Sequence, residues 1–254
     1  MTYVTAETRG PVGMITLARP EKKNALDRQT AEELQAALDR LGADATVRVV
    51  VLSAQGEDFC AGADLQALEA MLAEGIKAHL QDAQALGKVF ITMRTIPKPV
   101  VGVIRGRALA GGAGLATACD MVLAHAESSF GYPEVQVGFV PAMVMTMLRR
   151  AVGEKRAFDL IATGRRISAA EALHMGLVSR VLAAESFDAD VEKIIQGIAA
   201  SPPTALAMTK RLFYGLDTLD FRAGIALGAK INVEARSTED FREGVKRFAA
   251  RERQ

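Results

Sequence analysis

Ten consecutive residues, Ala108-Leu-Ala-Gly111-Gly112-Ala-Gly114-Leu-Ala-Thr117, carry no charge and no side chain larger than leucine. They follow an apolar, β-branched run at 99–104 that has the composition of a buried strand. A segment this small forces close packing, so it opens a short helix pressed against its strand. Three uses of such a helix start compete. Gly112-x-Gly114 begins a dinucleotide fingerprint, and Glu134 stands 20 residues beyond Gly114, near where a ribose-binding acid belongs. Against this, Thr117 occupies the third glycine position, and the next strand begins by Met121, leaving no room for a crossover helix. The glycines can also serve packing alone. The third use is an anion hole: the first amides of a helix lack intrahelical acceptors and point along a favourable dipole, so they can stabilise a carbonyl oxygen that gains charge.

A second loop offers a partner for those amides. After an apolar run at 47–52 comes Phe59-Cys60-Ala61-Gly62-Ala63-Asp64-Leu65, in which Gly62 and Ala63 precede another helix start. Two such loops, each following a parallel-type strand, suggest one site composed at the C-terminal ends of the strands.

Further strands are expected at Val12–Leu17 and 121–124, all apolar on both faces as in a sheet covered on both sides. Helices are expected from an Asp27 cap to Leu41 and over 76–95, with a capping box at Ser168 and Glu171 and a start at Ser201-Pro202. From Phe187 onward the pattern is helical throughout. The organisation is a strand-rich core over 1–186 and a helical region over 187–254, joined without a Gly/Ser linker, so the tail docks. Strand starts are unequally spaced, which argues against a strict repeat array.

Composition excludes several function classes. The 254 residues include 31 Lys+Arg against 30 Asp+Glu, a net charge of +1, so the basic excess of a nucleic-acid binder is absent. Two cysteines and three histidines lack metal-ligand spacing, which points to a metal-free protein. Arg105, Arg107 and Asp120 interrupt the best apolar stretch, and the N-terminus lacks a leader pattern, so a cytoplasmic protein with no membrane partner is expected. The chain has no Trp, and its mean hydropathy of +0.14 fits burial between subunits.

The ordered motifs Arg19-Pro20…Asn24-Ala25-Leu26, Phe59 to Leu65, Ala110-Gly111-Gly112-Ala-Gly114-Leu…Cys119-Asp120, Phe130-Gly-Tyr132-Pro133-Glu134…Gly138-Phe-Val-Pro141, and Thr163-Gly164…Ser168-Ala-Ala-Glu171…Gly176-Leu-Val together resemble the crotonase superfamily of enoyl-CoA hydratases and isomerases. The likeness runs from about Val12 to Arg251. It implies an α/β fold, a spiral of β-β-α turns, with a helical C-terminal trimerisation region and stacking of two trimers into a hexamer. It implies an acyl-CoA thioester as partner, with coenzyme A part of the substrate and no separate cofactor. Carried over by position, the Ala63 and Gly111 amides form the oxyanion hole. Gly62, Asp64, Gly112, Gly114 and Tyr132 lie beside the substrate. Lys22, Lys23, Ala25, Ala61 and Leu65 fall at the CoA moiety, and Phe248 and Arg251 close it from a late helix. Lys22 and Lys23 are equally compatible with solvated surface charges, Asp64 with a plain helix cap, and Tyr132 with a structural role. Cys60 and Cys119 have the character of small buried hydrophobes, and Asp120 that of a group satisfying local backbone donors.

One departure from the family pattern bears on mechanism. The two-glutamate hydratases carry an acid where this chain has Gly114, so Glu134 remains as the one catalytic carboxylate. The segment after Pro141 is also Ala142-Met143-Val144-Met145 instead of glycine-rich, which lines the acyl end with apolar groups. One carboxylate suffices for a Δ3-Δ2-enoyl-CoA isomerase, whereas the wider pattern resembles hydratases of fatty acid metabolism and β-oxidation, some with glycine at the first acid site. The reading is therefore an enoyl-CoA hydratase. An isomerase and a non-catalytic acyl-CoA binder are the alternatives; a large gain in hydration in Gly114→Glu would show that the native site lacks its second acid.

Overall fold

A computed structural model describes residues 2–251, except the side chains of Leu65 and Arg251, so those two predicted contacts lie outside the described residues. Strands β1 (Val4–Arg9) and β2 (Val12–Leu17) form an antiparallel hairpin, and helix α1 (Arg28–Ala43) follows, capped by Asp27. Then come β3 (Val49–Ala54), α2 (Leu65–Met71), α3 (Ile76–Thr95), β4 (Val100–Ile104), β5 (Arg107–Leu109) and α4 (Gly111–Ala118). The chain continues through β6 (Met121–His125), β7 (Ser129–Gly131), a 3-10 turn at Pro133–Val137, α5 (Ala142–Val152) and α6 (Glu154–Thr163). After β8 (Arg166–Ser168), α7 (Ala169–Met175) and β9 (Arg180–Leu182), helices α8 (Phe187–Ala199), α9 (Pro203–Gly215), α10 (Phe221–Arg236) and α11 (Glu239–Arg251) complete the fold.

The spiral is visible in the pairing. A main sheet runs β1-β2-β3-β4-β6-β9, parallel from β2 onward, and a small sheet runs β5-β7-β8. Each turn places one strand in the main sheet and a second extended piece in the inner layer before a helix returns the chain. β4 is thus followed by β5 and α4. Shorter versions of the same turn follow β2 and β3, where Leu26 bridges Ala63 and Cys60 bridges Ala108, both in parallel. The mixed α/β spiral with a helical C-terminal region matches what the resemblance implies, and its turns differ in length because the returning helices do.

Both faces of the main sheet are covered. Val50 and Leu52 of β3 join Ile15, Leu17, Leu34 and Phe59 in the larger core, while Val49 and Val51 face Ile195 and Ala199 of α8. Two-sided burial explains why the strands are apolar on both faces. The strand expected at 47–52 begins at Val49, because the Val47 amide closes a turn on the Asp44 carbonyl at 3.1 Å.

The helical tail docks through buried charge. Lys210 donates to the carbonyls of Met93 (2.6 Å) and Lys98 (2.8 Å) and pairs with Asp120 at 2.7 Å. Tyr214 also donates to Asp120, at 2.7 Å, and Asp120 accepts from the Val100 amide as well. Asp120 therefore does more than satisfy its neighbours: it anchors α9. Among the described residues no helix is long and apolar enough to cross a membrane.

Candidate active site

The loop carrying Ala63 is held on both sides. The Leu26 amide donates to the Gly62 carbonyl at 2.7 Å, and the Asp64 amide donates to the Leu26 carbonyl at 2.8 Å. In a parallel bridge the intervening residue turns its own N–H to the other side, so the Ala63 amide faces away from Leu26. On that other side lies the start of α4. Cys60 exchanges hydrogen bonds with Arg107 and Leu109, and Asp58 accepts from the Arg107 amide and from both Nε (2.6 Å) and Nη2 (2.5 Å) of its guanidinium. Gly62 packs on the same strand end. A Cβ there would lie 2.9 Å from that of Ala110, and its φ of +102° independently calls for glycine.

Gly112 is a second close approach. A Cβ on it would stand 2.5 Å from the Cys60 carbonyl oxygen, so the α4 start is laid directly on the Cys60 loop. Ala110 caps α4 at φ +48° and ψ −121°, a strained conformation for alanine that aims the following amides out of the helix. Among the described residues neither the Ala63 nor the Gly111 amide has a hydrogen-bond acceptor. The two amides predicted to meet a thioester oxygen are thus left free on two segments packed against each other.

The segment leading to Glu134 is tied to both ends of the same helix. The Ala110 amide donates to the Gly131 carbonyl at 2.9 Å, and the hydroxyls of Tyr132 and Thr117 hydrogen-bond at 2.8 Å. These contacts fasten residues 131–134 along α4. Tyr132 is wholly buried, so its visible work is that of a strut. Glu134 is 8% exposed, and its Oε2 has no hydrogen-bond partner among the described residues. Burial pushes its carboxyl above the ordinary range, with partial compensation from its own backbone N–H. A buried carboxylate with a free oxygen and a raised pKa has the properties of a general base.

The place of the missing acid is filled. A Cβ on Gly114 would lie 2.7 Å from Val144 Cγ2 and 3.2 Å from Phe90 Cζ. One turn earlier, Gly111 faces Leu26 and Leu86. Leu86 and Phe90 of α3 and Val144 of α5 therefore form an apolar wall along α4. Val137, Phe139 and Val140, all largely exposed, continue apolar surface beyond Glu134. A lone Gly114→Glu substitution has no room beside Val144, so as a test for a second acid it requires trimming the wall.

The predicted CoA residues divide into two groups. Lys23 and Asn24 both adopt left-handed backbone, and the Lys23 carbonyl accepts from the Ala61 amide at 3.0 Å. Lys22 reaches Gln66 at 2.9 Å, and Ala25 is buried in the same turn, so Lys22, Lys23, Ala25, Ala61 and Asp64 share one edge. Asp64 caps α2 by accepting from the Gln66 and Ala67 amides. Phe248 stands apart, in an apolar groove of about 390 Å³ between α9, α10 and α11 that it shares with Met208, Phe241 and Val245. Cys60 and Cys119 are buried, and burial pushes the Cys60 thiol up to about 12. Among the described residues no cluster of three or more potential metal ligands occurs. Sequence reasoning placed Val144 at the apolar acyl end, though not its contact with Gly114, and it did not identify Phe90 as part of this region. Arg19 and Ala110 lay within quoted motifs, but nothing local marked the contacts of the one or the backbone strain of the other.

The sequence model described as enoyl-CoA hydratase/isomerase matches residues 7–254. A Thermus thermophilus protein provisionally named an enoyl-CoA hydratase is 41% identical over 240 residues, covering 94% of this chain and 95% of its own. A Rhizobium meliloti protein with the same provisional name is 35% identical, covering 99% and 97%. The crystal structure of a Mycobacterium smegmatis enoyl-CoA hydratase superposes with a TM-score of 0.93 at 31% identity, covering 98% and 96%. Human enoyl Coenzyme A hydratase domain-containing protein 3 superposes with 0.93 at 29% identity, covering 98% of each chain.

Proposed function

This chain belongs to the enoyl-CoA hydratase/isomerase (crotonase) family, and from that premise we propose that it is an enoyl-CoA hydratase acting on a 2-enoyl-CoA thioester. The observation that carries the proposal is the buried Glu134 carboxylate with its unpartnered Oε2, two residues beyond a Tyr132 tied to the helix whose first amide is free. The Ala63 and Gly111 amides receive the thioester oxygen and stabilise the enolate that forms when a nucleophile adds at C3. Glu134, ionised, holds a water and takes one of its protons as the hydroxyl adds to C3. It then delivers that proton to C2, so the elements of water are conserved across the double bond. Lys22, Lys23, Ala25 and Ala61 receive the CoA moiety, and no further cofactor is required. The apolar grooves of the tail support burial against second copies in a homotrimer or a hexamer of two trimers. A cytoplasmic role in fatty acid β-oxidation fits this reading.

A second reading is favoured by the hydrocarbon beside Gly114. With one carboxylate, Glu134 can move a proton from C2 to C4 and act as a Δ3-Δ2-enoyl-CoA isomerase. Supplying 2-enoyl-CoA and 3-enoyl-CoA separately, with products identified by mass, decides between them. A 3-hydroxyacyl-CoA, 18 mass units heavier than the 2-enoyl substrate by addition of water, supports the hydratase. Consumption of the 3-enoyl substrate alone makes it an isomerase, and binding of both without turnover makes it an acyl-CoA binder.

A further inference from the structure

Arg19 is a buried charge that the proposed chemistry does not use. Its Nη1 donates to Asp27 Oδ2 at 2.5 Å, and its Nη2 donates to Asp64 Oδ2 at 2.5 Å and to the Ala25 carbonyl at 2.9 Å. The two aspartates are built alike. Asp27 Oδ1 caps α1, accepting from the Thr30 amide at 2.8 Å and the Thr30 hydroxyl at 2.7 Å. Asp64 Oδ1 caps α2, accepting from the Gln66 amide at 2.9 Å and the Ala67 amide at 3.3 Å. Each carboxylate gives one oxygen to its helix and the other to the same guanidinium. The residues just before them, Leu26 and Ala63, are the pair joined in the parallel bridge. Arg19 therefore staples the two strands of that bridge from one end.

A buried ion network of this kind contributes little net stability, because desolvating its charges offsets their attraction; its best-attested use is to fix geometry. What is fixed here is Asp64 against Asp27, and so the Leu26–Ala63 bridge, whose hydrogen bonds to the Gly62 carbonyl and from the Asp64 amide hold the peptides on either side of Ala63. We infer that Arg19 is a positioning residue for the oxyanion hole, acting through Asp64 to aim the Ala63 amide at the point the Gly111 amide also serves. The inference rests on the reading of these two amides as thioester donors. A planar fork can hold two carboxylates and a carbonyl at once, which a lysine ammonium on a flexible stem cannot do in the same geometry.

The test uses Arg19→Lys, which keeps the charge, and Asp64→Asn, which keeps the Oδ1 cap but turns an amide NH2 toward the Arg19 donors. Butyryl-CoA labelled with ¹³C at the thioester carbonyl is bound to each protein, and the carbonyl stretch is read by isotope-edited infrared spectroscopy. In the unmutated protein the band shifts to lower frequency than in free butyryl-CoA. In both variants it moves back toward the free value, and kcat for the 2-enoyl substrate falls about 10- to 100-fold while KM changes less than about 3-fold. Lys210→Met, which breaks the tail anchor, serves as control: it lowers the melting temperature and leaves the band in place. Where only one of the two variants folds, its band decides. An unshifted band and unchanged kcat in folded Arg19→Lys or Asp64→Asn overturn the inference. A protein in which bound butyryl-CoA has the free-ligand frequency from the start removes the oxyanion-hole reading itself, a distinct result.

Discussion

Gly111 and Gly114 lie one helical turn apart on α4, and the structure treats them in opposite ways. Around Gly111 the backbone is over-determined: bridges at Leu26–Ala63 and Cys60–Ala108, the Asp58–Arg107 pair and the strained Ala110 all converge to leave amides unpaired. Around Gly114 there is only hydrocarbon, with Val144 and Phe90 closing the space that a side chain would take. The first end presents unpaired amides; the second presents hydrocarbon. The place of the missing acid is therefore a packed wall and not a vacancy, which is why the proposed chemistry relies on Glu134 alone.

The largest expected effect falls on that residue. Glu134→Gln preserves shape and removes the base, and kcat should drop about 10³-fold, within the usual contribution of general acid–base catalysis. Tight binding of a saturated acyl-CoA should persist in the variant, measured by calorimetry. Loss of binding with no specific loss of turnover would move Glu134 out of the mechanism and break the comparison.

The pH dependence follows from the same burial. The base must be ionised, so activity is present above the Glu134 pKa and falls about tenfold per unit below it. Because burial raises that pKa from its ordinary value of 4.5, the acid limb of kcat/KM should lie above 4.5. A limb at or below 4.5 would mean that the carboxylate is solvated in the working enzyme.

Next come the two glycines. Gly112→Ala puts a methyl 2.5 Å from the Cys60 carbonyl, and such overpacking costs about 1–3 kcal/mol, read as a lower midpoint in urea. Gly114→Glu should be destabilising by a similar amount and should not gain hydration. The double variant Gly114→Glu/Val144→Ala should recover at least about 1 kcal/mol relative to the sum of the singles, since the two positions share one volume. Additive energies would show that Val144 yields freely and that the wall does not set the chemistry. Val144→Ala alone is expected to cost least, about 1 kcal/mol or slightly more, by opening a small cavity.

The parts of this molecule that were legible in its sequence are those specified locally. Helix α3 spans the expected Ile76–Thr95 because Gly75 precedes it and Pro97 follows. The parallel strands β2, β3 and β4 announce themselves as β-branched runs, and β6 as a short apolar one. Strands β5, β7, β8 and β9 are three residues each, too short for any periodicity, and β1 is an edge strand whose Glu7 and Arg9 face solvent. At the site, Gly62 and Gly112 carry a signal because a positive φ at the one and a close backbone approach at the other demand glycine. Ala110 carries none, since nothing in an alanine foretells a φ of +48°. The Arg19 staple and the Val144–Gly114 contact join residues 45 and 30 positions apart, and only the packed fold brings them together.

The most direct test of the single-carboxylate mechanism follows both atoms of the added water. A 2-enoyl-CoA is incubated with the protein in H2¹⁸O, and separately in D2O, and the product is analysed by mass spectrometry. The mechanism predicts ¹⁸O in the C3 hydroxyl and one deuterium at C2, with both incorporations nearly abolished in Glu134→Gln. Incorporation at an undiminished rate in that variant, or no hydrated product from the unmutated protein, would contradict it.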